Sequence, residues 1–123
     1  MERIKELTLE YLKTRKQFGV PIGKFQAIQH RMAQLLVEIE QARSSVINAT
    51  IYFEDETEKE KTISAAKFSI GKIGTLVAEE SIQLHGGMGV SDEMSIGHYL
   101  KRFTVTDALF GNRNYHLNNF SNL

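Results

Sequence analysis

The sequence predicts an all-α fold: an antiparallel (up-down) four-helix-type bundle with a short C-terminal helix. Three observations carry that prediction. Apolar residues recur at spacings of three and four through long stretches, the pattern of a helix with one buried face. No segment shows the sustained alternation of a strand. The only proline, Pro21, sits in a Gly-X-Pro-X-Gly turn between two helical stretches, and a short turn of that kind makes its flanking helices antiparallel neighbours.

The elements follow in order. From Ile4 to Gln17 the positions Ile4, Leu7 and Tyr11 form a stripe that Leu12 widens. This helix starts at or near Met1 without a capping residue, which suggests a piece of something longer. Gly19 and Gly23 flank Pro21 and permit backbone angles that other residues avoid. A second helix is expected from about Lys24 to Phe53, with Phe25, Ile28, Met32, Leu35, Ile39, Ala42, Val46 and Ala49 on one face. The charged run from Glu54 to Lys61 reads as a solvated loop plus the first turn of the next helix, where acidic groups favour the helix dipole.

The third helix, about Glu58 to Leu84, carries Ile63, Ala66, Ile70, Ile73, Val77 and Leu84 on one face. Gly71 and Gly74 each cost about 1 kcal/mol of helix propensity against alanine, and close helix packing is the reason to keep them. His85 to Asp92, rich in glycine, ends this helix. Glu93 to Thr106 reads as a further helix, Gly111-Asn112 interrupts the pattern, and Asn114 to Phe120 forms a last short helix.

Composition excludes several classes of function. With 123 residues the chain makes one domain, residues 1–123, large enough for a real core. Lysine plus arginine and aspartate plus glutamate balance at 15 each, so nothing electrostatic points to nucleic acid. Without cysteine there is no disulfide, thiolate metal site or thiol nucleophile. His30, His85, His98 and His116 show no paired ligand spacing, so no metal is expected. No apolar run approaches the roughly 20 residues of a membrane span, and the N-terminus lacks a signal peptide's apolar core. The expectation is a cytoplasmic protein with no membrane span.

Three polar clusters remain: Arg15 to His30, Gln83 to Val90, and Phe110 to Asn114. In an up-down bundle the first two meet at one end. Glycine-rich backbone beside an arginine and amide side chains offers a phosphate ester uncovered N–H donors and a cation. The glycines follow a helix rather than a strand, so this is not a dinucleotide-binding fingerprint. The other reading is that the glycines cap a helix and Arg15 lies along the surface.

These clusters carry a family resemblance. Thr14-Arg-Lys-Gln-Phe-Gly-Val-Pro-Ile-Gly-Lys-Phe-Gln-Ala-Ile-Gln-His30 resembles the segment T-R-x-Q-F-G-x-P-I-x-x-F-Q-x-x-Q-H of acyl-CoA dehydrogenases. Gln83-Leu-His-Gly-Gly-Met-Gly-Val90 resembles that family's Q-x-x-G-G-x-G turn. The resemblance covers nearly the whole chain and implies the C-terminal helical bundle, with the N-terminal helical and middle β domains absent. The family oxidises an acyl-CoA thioester at its α and β carbons. A carboxylate takes the α proton, a hydride passes to FAD, and electrons leave to an electron-transferring flavoprotein. By resemblance, Arg15, Gln17 and Phe18 contact the FAD of a neighbouring subunit, and Phe25 and Gln26 lie along it. Gln83, Gly86 and Gly87 approach its adenosine and pyrophosphate end. The bundle also builds homo-oligomer contacts, as a dimer or tetramer.

The pattern departs from the family at the base. Many members carry Tyr-Glu-Gly-Thr near the end, with the glutamate as base. Ungapped counting from Tyr99-Leu-Lys-Arg102 puts Phe110 at the glutamate, Gly111 at the glycine and Asn112 at the threonine. Phenylalanine accepts no proton. Asp107 stands three residues earlier, about a helical turn away, a poor substitute. Other members place the base on the first helix, upstream of what is present here. The resemblance thus assigns no catalytic residue to this chain, and the isolated bundle is not expected to retain FAD or activity. Two roles follow: the cofactor-contacting and assembly domain of a flavoprotein oxidoreductase, or a non-catalytic helical partner that completes a flavin site on another chain.

Overall fold

The computed structural model describes residues 1–90 and 95–123. Its architecture is helical: α1 (Glu2–Thr14), α2 (Gln26–Ile51), α3 (Lys59–His85), α4 (Ile96–Ala108) and α5 (Arg113–Asn122). A 3-10 segment, Gly86–Val90, follows α3. The expected last turn of the first helix is instead the start of a two-stranded antiparallel ribbon, β1 (Lys16–Gln17) and β2 (Val20–Pro21). Lys16 pairs with Pro21 and Gln17 with Val20. Pro21 is therefore not the centre of the turn. Phe18 and Gly19 are, with φ of 52° and 79°, the positive angles a tight two-residue hairpin needs for its twist. Gly23 has another role: a Cβ there would lie 2.8 Å from the carbonyl oxygen of Leu12, so α1 and the segment after the ribbon approach too closely for a side chain.

Helix α3 is the centre of the bundle and packs against α1, α2, α4 and α5. This corrects the single-face reading of its sequence. Ile63 and Ile70 are only half-buried, whereas Ser64, Gly71, Gly74, Ala78 and Ser81 are buried. A helix with neighbours on several sides buries small residues wherever a neighbour crosses closely. At Gly74 an added Cβ would meet the Phe103 ring at 2.7 Å, and at Gly71 it would meet Asp107 Oδ1 at 2.1 Å. These contacts run α4 antiparallel to α3. The descent continues through α5, where His116 and Asn119 reach Ser64, and Asn119 also reaches Glu60. Helices α4 and α5 thus form one interrupted fourth member of the bundle. The break falls at Phe110 and Gly111, with φ of 59° and 91°.

The core gathers Ile4, Leu12, Met32, Leu35, Ile39, Ala42, Ile73, Val77, Ala78, Leu84 and Ile96. Helix α2 contributes the stripe read from its sequence, but Val46 and Phe25 from that stripe are exposed. At the charged loop, Asp55 Oδ1 accepts from the N–H groups of Thr57 (2.8 Å) and Glu58 (2.9 Å), ordering the approach to α3. Asn112 begins α5 by accepting from the Tyr115 N–H at 2.9 Å. The expected helix start at Glu93, and the end of the preceding glycine-rich segment at Ser91 and Asp92, lie outside the described residues. Among the described residues no helix is long and apolar enough to cross a membrane.

Candidate functional site

The C-terminal ends of α1 and α3 and the approach to α2 enclose a cleft of about 660 Å³. Seven of the eight expected cofactor residues line it: Arg15, Gln17, Phe18, Phe25, Gln83, Gly86 and Gly87. Gln26 does not. It is the first residue of α2, and its side chain is exposed beyond the lining. The two motifs, separated by more than fifty positions in the chain, meet because α1 and α3 run the same way and end at the same level.

Local chemistry shapes each wall. Ile22 N–H donates to the Arg15 carbonyl at 2.8 Å, closing the ribbon and directing the chain after Arg15 over the cleft. Phe18 is 92 % exposed at the hairpin tip and meets Phe25 edge-on, with ring centroids 6.3 Å apart. A large exposed ring held at positive φ is costly backbone, of the kind that gathers at binding sites. Arg15 makes no ion pair among the described residues, so its guanidinium is free for an anion. On the opposite wall Gly86 has φ 60° and ψ −141°. A Cβ at Gly86 or Gly87 would meet nothing within 4 Å, so the backbone there is open to the cleft. A cation, two amide side chains, two aromatic rings and open glycine backbone suit a phosphate-bearing aromatic cofactor, and the residues fit the adenosine-pyrophosphate part of a flavin dinucleotide.

Tyr11 and His85 form the floor, and sequence reasoning missed both. Tyr11 was legible only as part of the core stripe, and His85 only as a member of the Gln83–Val90 cluster with no role of its own. Their rings stack at 4.3 Å, and the Tyr11 hydroxyl donates to the His85 carbonyl at 3.2 Å. That contact ties α1 to the residue just before Gly86. The available signal was position: Tyr11 stands one turn before Arg15, and His85 stands next to the glycines.

The third cluster lies elsewhere. The turn at Phe110 sits near the level of Lys67 and Gly71, about 21–27 Å down α3 from His85 at 1.5 Å per residue. Lys67 Nζ donates to the carbonyls of Thr106 (2.8 Å) and Asp107 (3.3 Å). The buried His116 uses Nε2–H to hold the Phe110 carbonyl at 2.9 Å. Its Nδ1 then faces Ser64 Oγ at 3.4 Å, and Ser64 accepts from Asn119 at 2.9 Å. The Phe110 ring itself is 91 % exposed. The two clusters therefore belong to two separate surfaces of the bundle. Among the described residues no group of histidine and acidic side chains is placed to hold a metal ion.

Comparisons with known proteins identify the family and the fold. The family model described as "Acyl-CoA dehydrogenase, C-terminal domain" matches residues 1–122. Acyl-CoA dehydrogenase IpdE2 of Mycobacterium tuberculosis is 41 % identical over 101 residues, covering 82 % of this chain and 30 % of that protein. Butyryl-CoA dehydrogenase of Megasphaera elsdenii aligns with a TM-score of 0.93 at 27 % identity, over 98 % of this chain and 32 % of that one. The ChsE4–ChsE5 complex of Mycobacterium tuberculosis aligns at 0.88 and 28 % identity, over 98 % and 33 %. The chain spans about a third of the length of these relatives. The chain belongs to the acyl-CoA dehydrogenase family, and it has the fold and sequence of that family's C-terminal domain.

Proposed function

We propose that this chain supplies the FAD-contacting and subunit-assembly surfaces of an acyl-CoA dehydrogenase-like flavoprotein, whose other domains hold most of the cofactor and substrate. The supporting observation is the cleft in which Arg15, Gln17, Phe18, Phe25, Gln83, Gly86 and Gly87 converge. In this reading Arg15 neutralises the pyrophosphate, the glycine backbone donates to it, and Phe18 and Phe25 cover the adenosine. FAD, when bound, supplies the acceptor for a hydride from the β carbon of an acyl-CoA, and an electron-transferring flavoprotein takes the electrons onward. The exposed α2 residues Leu36, Val37, Ile47 and Ile51 are the apolar surface offered to a homo-oligomer. Cytoplasmic localisation belongs to the same proposal.

The test is flavin content and FAD affinity of the assembled protein carrying Arg15→Gln. Loss of a charge-assisted contact of about 1.5–3 kcal/mol lowers affinity roughly tenfold to a hundredfold. Unchanged affinity overturns the assignment.

Phe110 favours a second reading, in which the chain is a base-lacking partner that completes a flavin site on another polypeptide. The relative in the ChsE4–ChsE5 complex works within a two-component assembly, and such an arrangement would let the other chain provide the carboxylate. Mixing the purified chain with FAD and candidate partner subunits decides between the readings. Flavin retention that appears only in a mixture supports the partner role. An inert monomer in every mixture removes it.

A further inference from the structure

Helix α2 carries two stripes of one spacing. Met32, Leu35, Ile39 and Ala42 are buried, and α2 packs chiefly on α3. On a second face Ala33, Val37, Glu40, Ser44, Ile47 and Ile51 follow steps of four and three, and all six are exposed. Such steps are the repeat of helices that pair along their length. The first stripe suffices for packing on α3. The second has no use inside this bundle, yet Val37 and Ile47 are each 52 % exposed and Ile51 is 70 % exposed. Apolar surface gathered in this way marks an interaction face.

The second stripe has a pattern that suits its own copy. It is apolar at both ends and polar in the middle. An identical helix laid against it antiparallel, with the two-fold axis level with Ala42, pairs every position in one register. Ala33 then faces Ile51, a small residue against a large one. Val37 faces Ile47, and Glu40 faces Ser44. A slip of one heptad either way sets Glu40 against Ile51 or Val37, so the polar layers fix the register. Charge is complementary as well. Arg43 lies 3.6 Å from Glu40 of its own helix, and the axis gathers both residues from both copies, two charges of each sign. Around that level the surface is a shallow hollow over Ser44 and Ser45, bordered by Leu36 and Val37, which leaves room for the opposing helix.

We propose that the occupant of this face is a second copy of the chain, its α2 packed antiparallel on the first about a two-fold axis level with Ala42. The proposal rests on the assembly role stated above and gives that role an orientation and a register. It is independent of which cofactor enters the cleft.

The test is cross-linking of single-cysteine variants with a short bismaleimide, alongside sedimentation of the parent. The chain has no cysteine of its own, so each variant carries one thiol per copy. Gln41 stands beside the axis, and Gln41→Cys should join two copies. Ile51 and its symmetry mate lie about 27 Å apart along the axis at 1.5 Å per residue, so Ile51→Cys should not. Cross-linking of Ile51→Cys, with or without that of Gln41→Cys, overturns the antiparallel register. A parent that associates while neither variant cross-links overturns the α2 pairing and leaves the assembly role standing on another surface. A parent that stays monomeric at every concentration overturns both. Ile47→Lys changes an exposed side chain and should weaken association roughly tenfold or more, with the melting temperature of the monomer held. Unchanged association overturns the pairing.

Discussion

The Asp107 carboxylate is held by Arg113 at two points, accepting from its backbone N–H at 3.2 Å and its Nε–H at 2.9 Å. The same carboxylate presses on Gly71, where a Cβ would fall 2.1 Å from Oδ1. Arg113 also donates to Thr75 Oγ1 at 3.1 Å. Asp107 is the carboxylate nearest Phe110 in the sequence, and it is fully employed in fixing the α4–α5 break to α3. A group so engaged is a structural tie and not a proton acceptor for a substrate. Asp107→Asn is expected to lose about 1–2 kcal/mol, a charge-assisted contact discounted for the partial exposure of Arg113. Urea unfolding measures it, and a loss below about 0.3 kcal/mol would contradict the tie.

Two glycines predict opposite signs. Gly74 faces the Phe103 ring at 2.7 Å from a built Cβ, so Gly74→Ala overpacks the α3–α4 contact and costs about 1–3 kcal/mol. Gly97, inside α4, has nothing within 4 Å of its Cβ position, so Gly97→Ala gains up to about 1 kcal/mol of helix propensity. Denaturant midpoints of the two variants should move in opposite directions.

Phe18 combines strain with exposure. Phe18→Asn places at φ 52° a residue that tolerates it, so the melting temperature should rise or hold. The same change removes the ring that faces Phe25 over the cleft, so FAD affinity of the assembled protein should fall. A variant that binds FAD as tightly as the parent would show that the ring serves some other purpose.

Acid stability depends on Asp55. The Thr57 hydroxyl, followed by the backbone N–H groups of Glu58 and Thr57, holds its carboxyl below the usual aspartate value. A carboxyl with a lowered folded pKa stabilises the protein fully above its unfolded value, and that contribution fades as pH falls through the folded one. Asp55→Ala should therefore lower the melting temperature at neutral pH. The difference from the parent should shrink on acidification below the ordinary aspartate range. A pH-independent difference would assign the effect to packing.

Much of this was legible in the residues. Periods of three and four located α2 and α3 closely, because both are long and their core residues repeat without interruption. The α1 end was read too far, through Gln17, because two residues of ribbon on either side of Phe18-Gly19 are too short to show alternation. The role of Pro21 was misplaced for the same reason. The convergence of Arg15 with Gly86 and Gly87 followed from up-down topology and was refined only at Gln26, whose place at the start of α2 turns it from the cleft. Tyr11 and His85 were not read as site residues, since a tyrosine in an apolar stripe signals burial and the only pointer to either was its position beside Arg15 or Gly86.

The sequence by itself determined the helical class, the order of elements, the two glycine-bearing motifs and the absence of a carboxylate at Phe110. Those are properties of local spacing and residue chemistry. Only the tertiary structure decided that α3 is enclosed by four neighbours, that Gly71 and Gly74 yield their space to Asp107 and Phe103, and that the Phe110 turn stands far from the cleft. It alone stacked Tyr11 on His85 between α1 and α3. Which residues meet across helices depends on crossing geometry and close packing, and no period along a single chain segment records that.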